Sequence, residues 1–205
     1  MPRPAAFTTD EILDAALACV ARDRHAATIA DVARALGGPV GSIYHRFPSR
    51  DVVLARLWLR SVGRFQAGLF DIAAQGDADG EPPLDMLVRM AVHVPRYCRR
   101  HPDEAVALTL YRQDRLLRDC HDSVRPDIAG VNSGIDDLSR TLTRRCFGTA
   151  TKRRSTLVAW ATRLGPYGLV RPYLGGDVPA LLDDVVAAST RAILALGTPA
   201  APPTT

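Results

Sequence analysis

Residues 28–54, TIADVARALGGPVGSIYHRFPSRDVVL, constrain this chain more than any other segment. Ile29, Val32, Ala33 and Leu36 follow the i, i+3, i+4, i+7 spacing of a helix with one buried face. Thr28 is placed to cap that helix, and Asp31 to reach back as the partner in a short capping box. Gly37 and Gly38 end it, because glycine turns left-handed without steric cost. Pro39 suits the first turn of the next helix, where a missing N–H costs nothing. That second helix, about Val40–Phe47, turns Ile43 and Phe47 inward and leaves Ser42, His45 and Arg46 outward. Pro48 breaks it, and Ser49 is placed to cap a third.

Arg50 is at odds with an ordinary helix start. A cation in the first turn faces the positive end of the macrodipole, unfavourable by ~0.3–1 kcal/mol. An incoming phosphate would remove the conflict, since helix N-termini attract anions. On that reading Tyr44, His45 and Arg50 hold a nucleic-acid backbone, while Val40, Ser42 and Arg46 approach base edges. A polar-faced helical hairpin is the alternative.

The segment resembles the DNA-binding domain of the tetracycline-repressor (TetR) family of transcriptional regulators. The matching positions are Thr28, Asp31, Val32, Ala33, Gly37, Gly41, Ser42, Ile43, Tyr44, His45, Phe47, Ser49 and Arg50. The chain departs from the family pattern at Gly38, Pro39 and Val40, where the family's serine cap is missing. It departs again at Arg46, which replaces a frequent aromatic and adds a donor suited to guanine. The DNA-contact set this implies is Thr28, Pro39, Val40, Gly41, Ser42, Tyr44, His45, Arg46 and Arg50. Differences in the sequence read are expected at Pro39, Val40, Ser42 and Arg46.

Upstream, Thr8 and Glu11 form a capping box with Phe7 and Ile12 as a hydrophobic staple. Ile12, Leu13, Ala16, Leu17 and Val20 then make one apolar helix face. Met1–Ala6, carrying Arg3, reads as a short arm. At 205 residues with 47% hydrophobic side chains, the chain can bury a second, larger domain. The net charge of +4 suits nucleic acid without proving it.

Beyond the motif the pattern stays helical, so the fold expected is all-α. Residues 7–67 form a helix-turn-helix domain, with the motif itself at 28–47. Residues 68–198 form a C-terminal helical domain, and 199–205 a disordered tail. Ser49 to about Ala74 reads as one helix joining the two without a flexible linker, followed by a loop at Gln75–Pro83. Further helices are expected at Leu84–Arg100, Asp103–Arg118, Pro126–Cys146, from Lys152 to an interruption at Gly165–Pro166, and at Pro179–Leu196.

The family's second domain is a ligand chamber and dimerisation module. Met86, Met90, His93 and Tyr97 share one helix face, which fits a pocket lining and fits a packed core equally well. Tyr111, Phe147, Trp160 and Tyr167 are further ligand candidates. The last helix offers Leu181, Leu182, Val185, Val186, Ser189 and Ile193, buried either within the monomer or in a four-helix bundle with a second copy.

The resemblance thus implies a ligand-responsive regulator, in the family's usual mode a repressor. It would act as a homodimer on a palindromic double-stranded DNA operator and be released by a small-molecule effector. An all-helical enzyme, or a dimerisation protein without DNA binding, are the alternatives. No nucleophile–base set, paired acids at helical spacing or phosphate-binding glycine loop supports an enzyme. Cys19, Cys98, Cys120 and Cys146 lack CxxC pairing and read as reduced thiols. The Cys98/His101 and Cys120/His121 spacings match no recognised zinc site. No metal and no cofactor are expected. With no bilayer-length apolar run and no signal pattern, the chain is expected in the cytoplasm, without a membrane partner.

Overall fold

The computed structural model describes residues 7–198. The expected arm with Arg3 and the expected tail at 199–205 lie outside the described residues. The described residues are all-α, without strands. Residue contacts divide the chain into two units: Met1–Arg64 with His101–Val131, and Phe65–Arg100 with Asn132–Thr205. The sequence expectation had kept 68–198 together, whereas residues 101–131 pack with the N-terminal residues.

The first unit opens with α1 (Thr9–Asp23), α2 (Ile29–Leu36) and α3 (Val40–Tyr44), followed by the first part of α4 (Arg50–Ala78). Ile12, Ala16 and Val20 of α1 meet Ile29 and Val32 of α2, Ile43 of α3, Phe47, and Val53 and Leu57 of α4 in one core. Val106, Leu110, Leu116, Val124 and Ile128 complete that core from α6 (Pro102–Leu108), α7 (Gln113–Asp119) and α8 (Arg125–Gly130) and the turns between them. Asp103–Arg118 was expected as a single helix but is broken at 109–112. There the Thr109 hydroxyl donates to Val106 O at 2.7 Å, a local bond that competes with helix continuation. Pro126–Cys146 is divided as well. Gln113 Nε2 donates to the carbonyls of Ile128 (2.8 Å) and Ala129 (3.1 Å), which takes up acceptors a continuing helix would use.

The second unit comprises the rest of α4, α5 (Pro83–Arg100), α9 (Ser133–Phe147), α10 (Lys152–Ala159), α11 (Gly165–Val170) and α12 (Leu182–Ala195). Helix α4 runs to Ala78, through half of the expected loop. A Cβ on Gly76 would lie 2.7 Å from Met86 Cγ, so this glycine is a close-packing residue rather than a breaker. Arg89 holds the turn by donating to Glu81 at 2.6 Å and Gln75 at 2.9 Å. The expected interruption at Gly165–Pro166 is a π-turn, Trp160–Leu164, between α10 and α11. Gly165 N–H bonds to Trp160 O, widening the helix so that Pro166 needs no α-type donor. A Cβ on Gly165 would lie 2.8 Å from that oxygen, which explains the glycine. Helix α12 starts at Leu182, later than the expected Pro179. Its first turn is fixed by Asp183, whose carboxylate accepts from Arg96 at 2.7 Å and Arg99 at 2.9 Å on α5.

Candidate nucleic-acid interface

Helix α2 is built as its sequence dictates. Asp31 N–H donates to Thr28 Oγ1 at 3.2 Å, and Thr28 N–H donates to Asp31 Oδ2 at 3.2 Å. The Thr28 hydroxyl also donates to Asp31 at 2.6 Å. Its bond, with help from Arg34 and the Thr28 N–H, holds the Asp31 carboxyl below the usual carboxylate range. Gly37 sits at φ +67°, and Gly38 N–H reaches Ala33 O at 3.1 Å, so the helix closes on a left-handed glycine cap.

Helix α3 has only five residues, and no side chain caps it. Pro39 is its N-cap rather than a first-turn residue, consistent with the missing serine. The helix ends at Tyr44, so His45 and Arg46 follow it instead of lying within it. Ile43 and Phe47 are buried, as expected. Pro39, Gly41, Tyr44, His45 and Arg46 are exposed, and Val40 and Ser42 half-buried. The outward set is thus brought together on one short segment, with Thr28 exposed at the start of α2.

Two arginines carry internal bonds that the sequence did not signal. Arg46 Nε donates to Phe7 O at 2.6 Å, across 39 positions of chain. The Phe7 ring in turn occupies the space where a Cβ on Gly38 would sit, 2.4 Å from Phe7 Cε2. Arg50 Nε donates to Ala27 O at 2.8 Å, and one of its terminal nitrogens bonds to His25 O. Its other terminal nitrogen lies 3.3 Å from Asp51. The cation at the start of α4 thus has a reason apart from phosphate: it satisfies carbonyls at the α1–α2 corner. The periodicity around Arg50 concerns its own helix and carries no trace of a bond to residue 25 or 27.

The residues expected around a ligand are distributed over both units. Met86 and Met90 are buried in the core of the second unit with Leu69, Leu87, Ile135, Leu142 and Val158. His93 Nε2 contacts Phe65 O at 3.1 Å, and the Phe65 ring meets Tyr97 edge-on and His93 at a tilt. Tyr111 belongs to the first unit, edge-on to His25 and Trp58. Phe147 lies under the Arg154 guanidinium. Trp160 and Tyr167 are surface residues, 52% and 44% exposed.

The dimer candidates split in two. Val186 is fully buried within the second unit, so its place is in the core. Leu182, Ser189 and Ile193 are half-buried. Leu181 (69%) and Val185 face solvent, as do Leu164 (59%) and Leu196 (58%). The π-turn, invisible to a 3.6-residue periodicity, is what shifts the phase around Trp160 and Leu164.

Among the described residues no group of three or more His, Cys, Asp or Glu is placed to hold a metal ion. Burial pushes the Cys98 thiol up to about 11, which disfavours the reactive thiolate. No described helix is long and apolar enough to cross a membrane.

A capped α2, a left-handed glycine turn and a short α3 with a polar outer side form a helix-turn-helix. Residues 12–57 match the family model of bacterial regulatory proteins, tetR family. Those 46 residues resemble the DNA-binding segment of that family. No curated protein matches its sequence. Among solved structures, a transcriptional regulator from Rhodococcus sp. RHA1 superposes with a TM-score of 0.68 at 19% identity, over 92% of this chain and 97% of that one. The fatty acid degradation regulator FadR from Bacillus halodurans gives 0.67 at 21% identity, over 95% and 96%. The ketosteroid transcriptional regulator KstR2 of Mycobacterium tuberculosis gives 0.66 at 20% identity, over 94% and 97%. At these identities the likeness is one of fold.

Proposed function

We propose that the chain is a dimeric, effector-responsive repressor whose two copies present α3 to a palindromic DNA operator. The observation that carries this reading is the polarity of α3: Ile43 and Phe47 are buried while Ser42, Tyr44, His45 and Arg46 point away from the core. Tyr44 and His45 serve the phosphates, and Val40 and Ser42 the base edges. Arg46 uses Nε on Phe7 and keeps its two terminal nitrogens for DNA.

A single small motif reads too few base pairs to be selective, which favours two copies on half-sites about 34–36 Å apart. The exposed apolar side chains of Trp160, Leu164, Leu181, Val185 and Leu196, carried on neighbouring helices of the second unit, support pairing of two chains there. Relatives of the same fold are named for fatty acid degradation and for ketosteroids, which supports a small-molecule effector. Such an effector would act by preferring a second-unit arrangement incompatible with the operator-bound dimer.

The test is a mobility-shift assay on the DNA upstream of the chain's own gene, run with a mass measurement of the free protein. A dimer with a saturable, sequence-dependent shift is expected, and Leu181→Glu is expected to give a folded monomer that shifts DNA weakly. A parent chain that is monomeric, or that shifts any DNA equally, would refute the reading.

A further inference from the structure

The first unit holds a cavity of about 190 Å3 at the start of α4, apart from the outward side of α3. Its floor is apolar, with Ala55, Leu116 and Val124 all buried. Tyr111 forms a wall, and Asp51 and Asp119 stand at the rim. Cys120 and His121 complete the lining, which holds no lysine or arginine.

Three cations of the neighbouring turns are committed elsewhere. Arg50 is bonded to the His25 and Ala27 carbonyls. Arg56 is paired with Asp127 and with Ser123 O, and Arg125 with Asp122 and the carbonyls of Leu117 and Cys120. Asp119, by contrast, has no hydrogen bond or ion pair among the described residues. Asp51 has only Arg50, at 3.3 Å, and its side chain is 82% exposed. The formal charges in the lining itself are thus the two carboxylates, while the His121 Nδ1 is engaged with the Ser123 hydroxyl.

We propose that this cavity binds a small organic cation: an ammonium group on an apolar body about the size of one aromatic ring. A cavity of about 150 Å3 accepts benzene, so the volume here admits a ring with a one-carbon ammonium arm. The aliphatic floor takes the ring out of water, and Asp51 and Asp119 receive the ammonium. The Tyr111 ring adds an attraction that only a cation feels. A small anion of the same shape meets two carboxylates and no counter-charge. The site is separate from any effector chamber in the second unit, and its test does not require that the chain bind DNA.

The full chain titrated with benzylamine at neutral pH, followed by amide NMR, tests this directly, with benzyl alcohol and benzoate as matched neutral and anionic probes. Benzylamine is expected to saturate in the millimolar range or below, with shifts centred on Ala55, Leu116 and Val124. Benzyl alcohol is expected to bind about ten-fold more weakly, and benzoate not measurably. Asp119→Asn removes an exposed, unpaired carboxylate, so it should leave the spectrum folded while weakening benzylamine several-fold and leaving benzyl alcohol unchanged. Equal binding of amine and alcohol, unchanged affinity in Asp119→Asn, or no saturation with benzylamine overturns the proposal.

Discussion

Replacing Arg50 separates two explanations for a cation at the start of α4. In the free chain its guanidinium donates to Ala27 O at 2.8 Å and to His25 O. Ala27 is buried, only 2% exposed, so Arg50→Ala leaves that carbonyl without its donor. Hydrogen bonds from a charged donor contribute ~1.5–3 kcal/mol, and an orphaned buried acceptor costs ~1–3 kcal/mol. The Arg50 side chain is 35% exposed, so solvent replaces part of what is lost. A net destabilisation of about 2–3 kcal/mol follows. For a chain of this length each kcal/mol moves the melting temperature by about 2–4 °C, giving a fall of about 4–12 °C. Arg50→Lys should recover little of it, because one ammonium cannot span two carbonyls as a planar fork does. The assay is thermal melting without DNA, paired with the salt dependence of DNA binding. A phosphate contact would instead leave melting unchanged and reduce the slope of log K against log salt by about 0.9. An Arg50→Ala protein melting within about 2 °C of the parent, with a reduced slope, would refute the internal clamp.

At the glycine turn, Gly38→Ala should cost ~1–3 kcal/mol, because the new Cβ would stand 2.4 Å from Phe7 Cε2. Phe7→Ala in the same chain should remove most of that increment in a double-mutant cycle by urea unfolding; additive effects would disprove the contact. In the second unit, burial pushes the Asp183 carboxyl up, but the bonds and charges of Arg99 and Arg96 outweigh it and hold the group below its ordinary value. A depressed folded value means stability that is complete above the unfolded pKa and lost as pH falls through the folded one. Asp183→Asn is therefore expected to lower stability by about 2 kcal/mol at pH 7, a gap that narrows below about pH 4. A gap independent of pH would show that the carboxylate's charge is not what fixes α12.

What the sequence revealed of the fold follows from how local each cause is. The caps at Thr8 and Thr28, the turn at Gly37 and the inward pair Ile43 and Phe47 are settled by residues within four positions of one another. The break at 131–132 is not. It depends on Gln113 reaching the carbonyls of Ile128 and Ala129 from another helix. The extension of α4 past Gln75 depends on Gly76 meeting Met86, so a glycine in an acidic stretch reads as a loop until its neighbour is known. Periodicity also placed Met86, Met90, His93 and Tyr97 on one face, yet period alone does not distinguish a wall of a chamber from a packed core. The contact of His93 and Tyr97 with Phe65, 28 and 32 positions away, lies beyond what period can show.

The recognition element itself is the least self-sufficient helix in the chain. Five residues without a capping side chain cannot sustain a helix in water, since the cost of nucleation exceeds what so few hydrogen bonds return. Its orientation is therefore imposed from outside, by Ile43 and Phe47 in the core and by two long-range contacts at its edges. One is Arg46 on the Phe7 carbonyl; the other is the Phe7 ring against Gly38. Both contacts meet at Phe7, which precedes the N-cap of α1 and lies outside the helix-turn-helix. Substitutions at Phe7 should thus change how Ser42 and Tyr44 are presented without altering either residue. The departures at Gly38 and Arg46 thus belong together: Gly38 leaves room for the Phe7 ring, and Arg46 holds the Phe7 carbonyl.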